Sequence, residues 1–180
     1  MKNRWILLII LTLGLAACAL RPAGFTSSAS PTEAFELYLL ADDQAHGADI
    51  IDIPIDALEL AESPLLTTSD LISYDRSTHA IELTDGGFQK VTTLLESGVQ
   101  VAGIPFVIIS GGERLYAGAF WTPLSSQSYD GVVIIDPAFL SESNTIQITL
   151  GYPGVDFYSG ADPRDNVRLM RALDAAGVLE

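Results

Sequence analysis

Phe106-Val107-Ile108-Ile109-Ser110-Gly111-Gly112-Glu113-Arg114-Leu115-Tyr116-Ala117, set within a segment running from Gly103 to Pro123, decides the fold. Four consecutive bulky apolar residues, 106–109, predict a strand buried on both faces. Gly111-Gly112 can supply the positive φ angles of a two-residue hairpin turn. Alternation on the return strand predicts Leu115, Ala117, Ala119 and Trp121 on one side and Arg114, Tyr116, Gly118 and Phe120 on the other. Pro123 has no amide proton to give and ends the pairing.

At the amino terminus, Lys2 and Arg4 precede an apolar run that closes on Leu15-Ala16-Ala17-Cys18. Charge, then an apolar core, then small residues, is the order of a secretory signal. The run of roughly 13 residues is shorter than the ~20 that cross a bilayer. Leu15-Ala16-Ala17-Cys18 resembles the lipobox of bacterial lipoproteins. That resemblance implies a signal peptide over 1–17, a lipid on the Cys18 thiol, and a membrane-anchored protein on the extracytoplasmic face. Cys18 is the only cysteine, so no disulfide staples the exported part. Residues 18–32, small and proline-containing, read as a tether whose end-to-end distance is about 20 Å.

After Cys18 the chain carries 23 acidic and seven basic residues, a balance of −16. A surface of that sign argues against nucleic acid and against lying flat on anionic lipid. Asp42, Asp43, Asp49, Asp52, Asp56, Glu59 and Glu62 crowd one stretch with His46, but the offsets of an oxygen-ligand cation loop are missing. The stretch reads as a solvated acidic loop followed by a short amphipathic helix starting at Pro54, and no metal or other cofactor is expected.

Residues 33–180 are expected to form a single α+β domain. Phe35, Leu37 and Leu39 alternate with Glu36, Tyr38 and Leu40 as a strand that ends at Asp42-Asp43. Residues 71–83 read as a second hairpin turning at Arg76-Ser77-Thr78, with His79 a surface or turn histidine. Thr84 caps a helix whose stripe is Phe88, Val91, Leu94 and Leu95 and whose stop is Gly98. Residues 132–135 and 145–150 are two further strands. Asp162-Pro163 reads as the cap and first position of a last helix carrying Val167, Met170 and Leu173 and ending at Gly177. Hairpins imply a mainly antiparallel sheet, with helices packed on one face.

The runs 66–71, 80–87 and 106–117 together resemble the first periplasmic domain of the SecD/SecDF protein-export proteins, across residues 65–135. The likeness lies in the Leu-Thr-x-x-Asp-Leu pattern of Leu66-Thr67-Thr68-Ser69-Asp70-Leu71, the helix start at Thr84-Asp85-Gly86-Gly87, and the apolar strand, tight turn and strand that follow. Residues 117–121 depart from that family's small-residue and proline step, and no transmembrane helices and hence no proton path are expected. The resemblance implies contact with exported polypeptide.

No Gly-x-Ser-x-Gly elbow, nucleophile and base pair, metal set or phosphate loop is present, so an enzyme is not expected. The reading is a non-catalytic module that binds an exported polypeptide or an envelope protein. Its candidate surface is Tyr116, Phe120 and Trp121 with Ser125, Ser126 and Tyr129 from the following polar loop. A lipoprotein binding a small molecule in an enclosed pocket is the alternative.

Overall fold

The computed structural model describes residues 34–96, 101–139 and 143–180. Cys18, the signal segment, the tether and Gly98 lie outside the described residues. Eight strands are formed: β1 Phe35–Leu39, β2 Leu66–Thr67, β3 Leu71–Asp75, β4 Ala80–Leu83, β5 Ile104–Ser110, β6 Glu113–Trp121, β7 Tyr129–Ile135 and β8 Thr145–Tyr152. Two helices accompany them, α1 Asp85–Glu96 and α2 Val167–Ala175. The architecture is α+β. One sheet runs in the order β2-β1-β5-β6-β7-β8-β4-β3, and each neighbouring pair is antiparallel except β6 with β7.

That order forces the sheet to curl. Laid flat, its outer strands β2 and β3 would stand about 34 Å apart at the usual ~4.8 Å per strand. Yet they are consecutive in the chain, joined only by the 3-10 turn Thr68–Asp70, and such a link reaches at most ~14 Å. The two ends of the sheet therefore meet at this corner. Asp70 locks it: its carboxylate accepts hydrogen bonds from Thr67 N at 2.9 Å and Thr67 Oγ1 at 3.1 Å, and from Lys90 Nζ on α1 at 2.8 and 2.9 Å. Thr68 Oγ1 meanwhile accepts from Phe35 N at 2.9 Å, tying the corner to β1. Beyond it, Tyr74 N donates to Val178 O and Glu180 N donates to Tyr74 O, so the chain after α2 runs parallel along the open side of β3.

All eight strands send side chains into the concave interior, among them Phe35, Leu37, Leu66, Tyr74, Ile81, Phe106, Phe120, Ile134 and Ile148. Val91 and Leu95 of α1 and Leu169, Met170 and Leu173 of α2 fill the remaining space. The convex side is covered as well. Ile50 and Leu58, from a segment with 3-10 turns at Gly47–Ile50 and Ile55–Ala57, pack on Val107 and Ile109. Trp121, Ala119, Tyr129 and Val133 form a third cluster, with Tyr152 against it.

The β5–β6 hairpin forms as its residues dictate, with Gly111 at φ 58° and Gly112 at φ 79°. A register shift beside Ile108/Ile109 modifies the return strand, pairing Ile108 with Tyr116 but Ile109 with Arg114. Leu115 consequently packs on the interior with Tyr116, opposite to simple alternation, while Arg114 reaches the convex side and donates to Ile55 O and Leu58 O. Thr84 caps α1 as expected, its Oγ1 accepting from Gly87 N at 3.1 Å. For α2 the cap is Asn166, whose side chain accepts from Arg168 N and Leu169 N. Asp162 instead accepts from Arg164 N in the preceding turn, and Val167 points to solvent. The helix expected from Pro54 shrinks to the single turn Ile55–Ala57. His79 is a turn residue at φ 56°, but it is buried against Tyr74 and not on the surface.

A Cβ at Gly112 would meet nothing within 4 Å, so only backbone strain opposes a larger residue there. Gly112→Val is expected to lower stability in urea unfolding by about 1–2 kcal/mol, and Gly112→Asn by less. An unchanged midpoint for the valine variant would contradict the left-handed turn.

Burial alone would raise the Asp70 carboxyl, but the hydrogen bonds from Lys90 and Thr67 outweigh it and hold it below the ordinary carboxylate value. A depressed folded value means that this stabilisation is complete above the unfolded value of ~3.9 and is lost as pH falls through the folded one. Asp70→Ala should cost about 1–3 kcal/mol at pH 7. It should also flatten the fall in stability measured by urea titration as pH drops below 4.

Candidate binding cleft between β6 and β7

The residues expected to form a binding surface are mostly inside. Phe120 and Trp121 are fully buried, Tyr116, Tyr129 and Ser125 nearly so, and of the six only Ser126 is exposed. Phe120 and Trp121 do point to opposite faces, and each face has its own cover. Phe120 meets Phe106 edge-on with ring centroids at 5.4 Å, and Trp121 stacks on Tyr129 at 4.8 Å. Gly103 lies against the Trp121 ring so closely that a Cβ there would come within 2.5 Å of it. Ser125 Oγ donates to Val101 O at 2.6 Å, and Tyr152 Oη donates to Pro123 O at 3.0 Å, pinning the 122–128 loop beside this cluster. These aromatics are core, and a contact surface has to be sought elsewhere.

It lies just below them. β6 and β7 are parallel, and their ladder is confined to Gly118–Val132 through Trp121–Ile135. Gly118 permits the contact at its lower end: a Cβ there would fall 2.5 Å from the Phe106 ring and 2.6 Å from Val132 O. Below that point β7 has a register shift against β8 between Tyr129 and Val132. Among the described residues no strand pairs with residues 113–117 of β6 on the β7 side. Leu115, Tyr116 and Ala117 form one flank of the resulting cleft, and Tyr129, Asp130, Gly131 and Val132 form the other. Ile50, Ile51, Ile53 and Ile55 from the convex cover and Tyr158 and Pro163 from the chain after β8 complete walls around about 300 Å³. Ile51 and Ile53 are half-exposed at its mouth.

Polar groups fix the walls in place. Asp130 accepts from Ser159 N at 2.7 Å and from Ser159 Oγ at 2.6 Å, which draws its carboxyl below the ordinary value. Asp162 receives the Arg164 guanidinium at 2.7 and 2.9 Å, and Arg164 also donates to Ile148 O at 2.9 Å. The hydrogen bond from Arg164 holds the Asp162 carboxyl at about 2. Behind these groups the Tyr74 hydroxyl lies 3.0 Å from His79 Nδ1. Burial, with help from Arg164, pushes the His79 imidazole below its ordinary value, so it is neutral at pH 7. The Tyr116 hydroxyl is buried and has no hydrogen-bond partner among the described residues. Burial keeps that phenol protonated, with its value pushed well up.

The seven acids of 42–62 are exposed along the convex segment, and among the described residues no three histidine, cysteine or carboxylate groups converge. No helix among the described residues is long and apolar enough to cross a membrane. A signal for the cleft did exist in the sequence, in the spaced isoleucines 50, 51, 53 and 55 opposite a glycine-interrupted strand. It is visible only once β6 and β7 are known to be neighbours. Compared with models of known protein families, with curated proteins and with solved structures, the chain matches none.

Because both aromatics are packing residues, Phe120→Ala and Trp121→Ala should each lower stability by about 3–5 kcal/mol in chemical denaturation. A loss under 1 kcal/mol for either would mean that its face is open.

Proposed function

We propose that this protein is a lipid-anchored extracytoplasmic module that binds an extended polypeptide, exported or belonging to the envelope, in the β6–β7 cleft and performs no chemistry on it. The carrying observation is the unpaired half of β6. Residues 113–117 present a strand edge inside an otherwise continuous sheet, flanked by exposed isoleucines. An extended peptide supplies what such an edge lacks, backbone donors and acceptors at strand spacing, and its side chains supply apolar area for the walls. The likeness of residues 65–135 to the SecD/SecDF domain points the same way. Leu15-Ala16-Ala17-Cys18 supports the anchor, with the lipid on Cys18 holding the domain at the membrane while the domain's own acidic surface has little attraction for anionic headgroups.

The test uses the full-length lipoprotein in detergent and a fluorescent, permanently unfolded reporter polypeptide, alongside the same reporter in folded form. Saturable anisotropy change with the unfolded reporter only is expected, and no binding of it would overturn the function. Cys18→Ser should leave unprocessed or released protein. A cleaved variant that still fractionates with membranes would overturn the anchor while leaving the binding result standing.

A further inference from the structure

Resting on that reading, we propose that the cleft selects its polypeptide by charge, taking a strand of four or five residues in which an apolar side chain is followed by lysine or arginine. The unpaired edge 113–117 fits about that length at ~3.3 Å per residue. Side chains of an extended ligand alternate. A residue directed between the Ile51/Ile53 wall and the Tyr158/Pro163 wall meets apolar surface, and its neighbours emerge at the mouth.

The mouth is acidic. Asp130 stands in the lining, and exposed Asp52 sits between Ile51 and Ile53. Ser159 occupies one acceptor site on each Asp130 oxygen, and a carboxylate has about four, so capacity remains for an ammonium or guanidinium. Among the described residues no basic group lines the cleft. Arg164 is ion-paired with Asp162 and Arg168 with Glu113, while Arg114 keeps its charge but turns Nη1 to Ile55 O and Leu58 O on the convex side. A ligand carboxylate inside the cleft would thus face Asp130, the one charged residue among the described lining residues, and be repelled, whereas a ligand cation there is attracted by it. The overall balance of −16 after Cys18 adds long-range attraction of the same sign.

The signal sequence holds Trp5, so Trp121, stacked on the cleft residue Tyr129, is the sole tryptophan of the processed chain and reports occupancy by its fluorescence. The probes are three tryptophan-free peptides: alternating valine and lysine, alternating valine and glutamate, and the lysine peptide with a central proline. At low salt the lysine peptide should bind the full-length lipoprotein at least tenfold more tightly than the glutamate peptide, with the margin narrowing as salt rises. Proline, which cannot donate to a strand edge, should weaken binding. Ile53→Arg should reduce affinity for the lysine peptide at least tenfold. Ile72→Arg, which places the same charge on exposed β3 away from the cleft, should not.

Equal binding of the lysine and glutamate peptides, or equal loss in Ile53→Arg and Ile72→Arg, would overturn the proposal. If the unfolded reporter still binds in that case, only the cleft and its charge preference fail; if the reporter does not bind either, the polypeptide-binding function fails with them.

Discussion

The corner at Thr68–Asp70 is the constraint on which the rest of the molecule depends. A three-residue link between the first and last strands of an eight-stranded sheet admits only a rolled sheet. A turn that tight leaves amide donors without partners, and Asp70 accepts from the Thr67 amide while receiving Lys90 from α1. One carboxylate thus joins the two sheet ends to the helix that plugs the interior. Gly87 belongs to the same arrangement, since a Cβ there would press to 2.8 Å on Asp70 O.

Rolling the sheet has opposite effects on its two faces. The concave side gathers residues from every strand, and two helices suffice to seal it. The convex side splays its side chains outward, and among the described residues its cover is irregular chain, since α1 and α2 pack on the interior. The segment with the 3-10 turns Gly47–Ile50 and Ile55–Ala57 covers β5, and the 122–128 loop lies beside the Trp121 cluster near β6 and β7. Between these covers β6 and β7 separate, and the cleft opens there. Parallel neighbours joined by a loop as short as 122–128 are unusual, since such strands ordinarily need a dozen or more connecting residues. Here the loop makes one hydrogen-bonded turn, Ser125 N donating to Thr122 O at 3.0 Å, and the ladder it permits is only four residue pairs long.

Electrostatics reinforce this geometry more than they create it. Asp130 with Ser159, and Arg164 with Ile148 O of β8, fasten the chain after β8 to the sheet and so fix one wall of the cleft. Arg114 fastens the opposite wall through two carbonyls. These side chains are at least partly exposed, and their pairings matter for holding loops in place more than for global stability.

What the sequence by itself determined were the features whose causes lie within a few residues: the Gly111-Gly112 turn, the Thr84 cap, the β3–β4 hairpin, the stop at Gly177 and the α+β class. Even locally it could mislead where two signals compete. Asp162-Pro163 and Asn166 are both good helix starts; Asn166 is the cap, while the Asp162 carboxylate accepts from the Arg164 amide and guanidinium. Alternation placed Leu115 opposite to its true face because a bulge leaves no mark in side-chain periodicity. Only the tertiary structure decided that Phe120, Trp121 and Tyr129 are core, that His79 is buried, and that β6 and β7 run parallel with an open cleft below their ladder. Those outcomes depend on which distant segments lie over each face of the sheet, and a residue carries no information about its neighbours in space until the chain has brought them together.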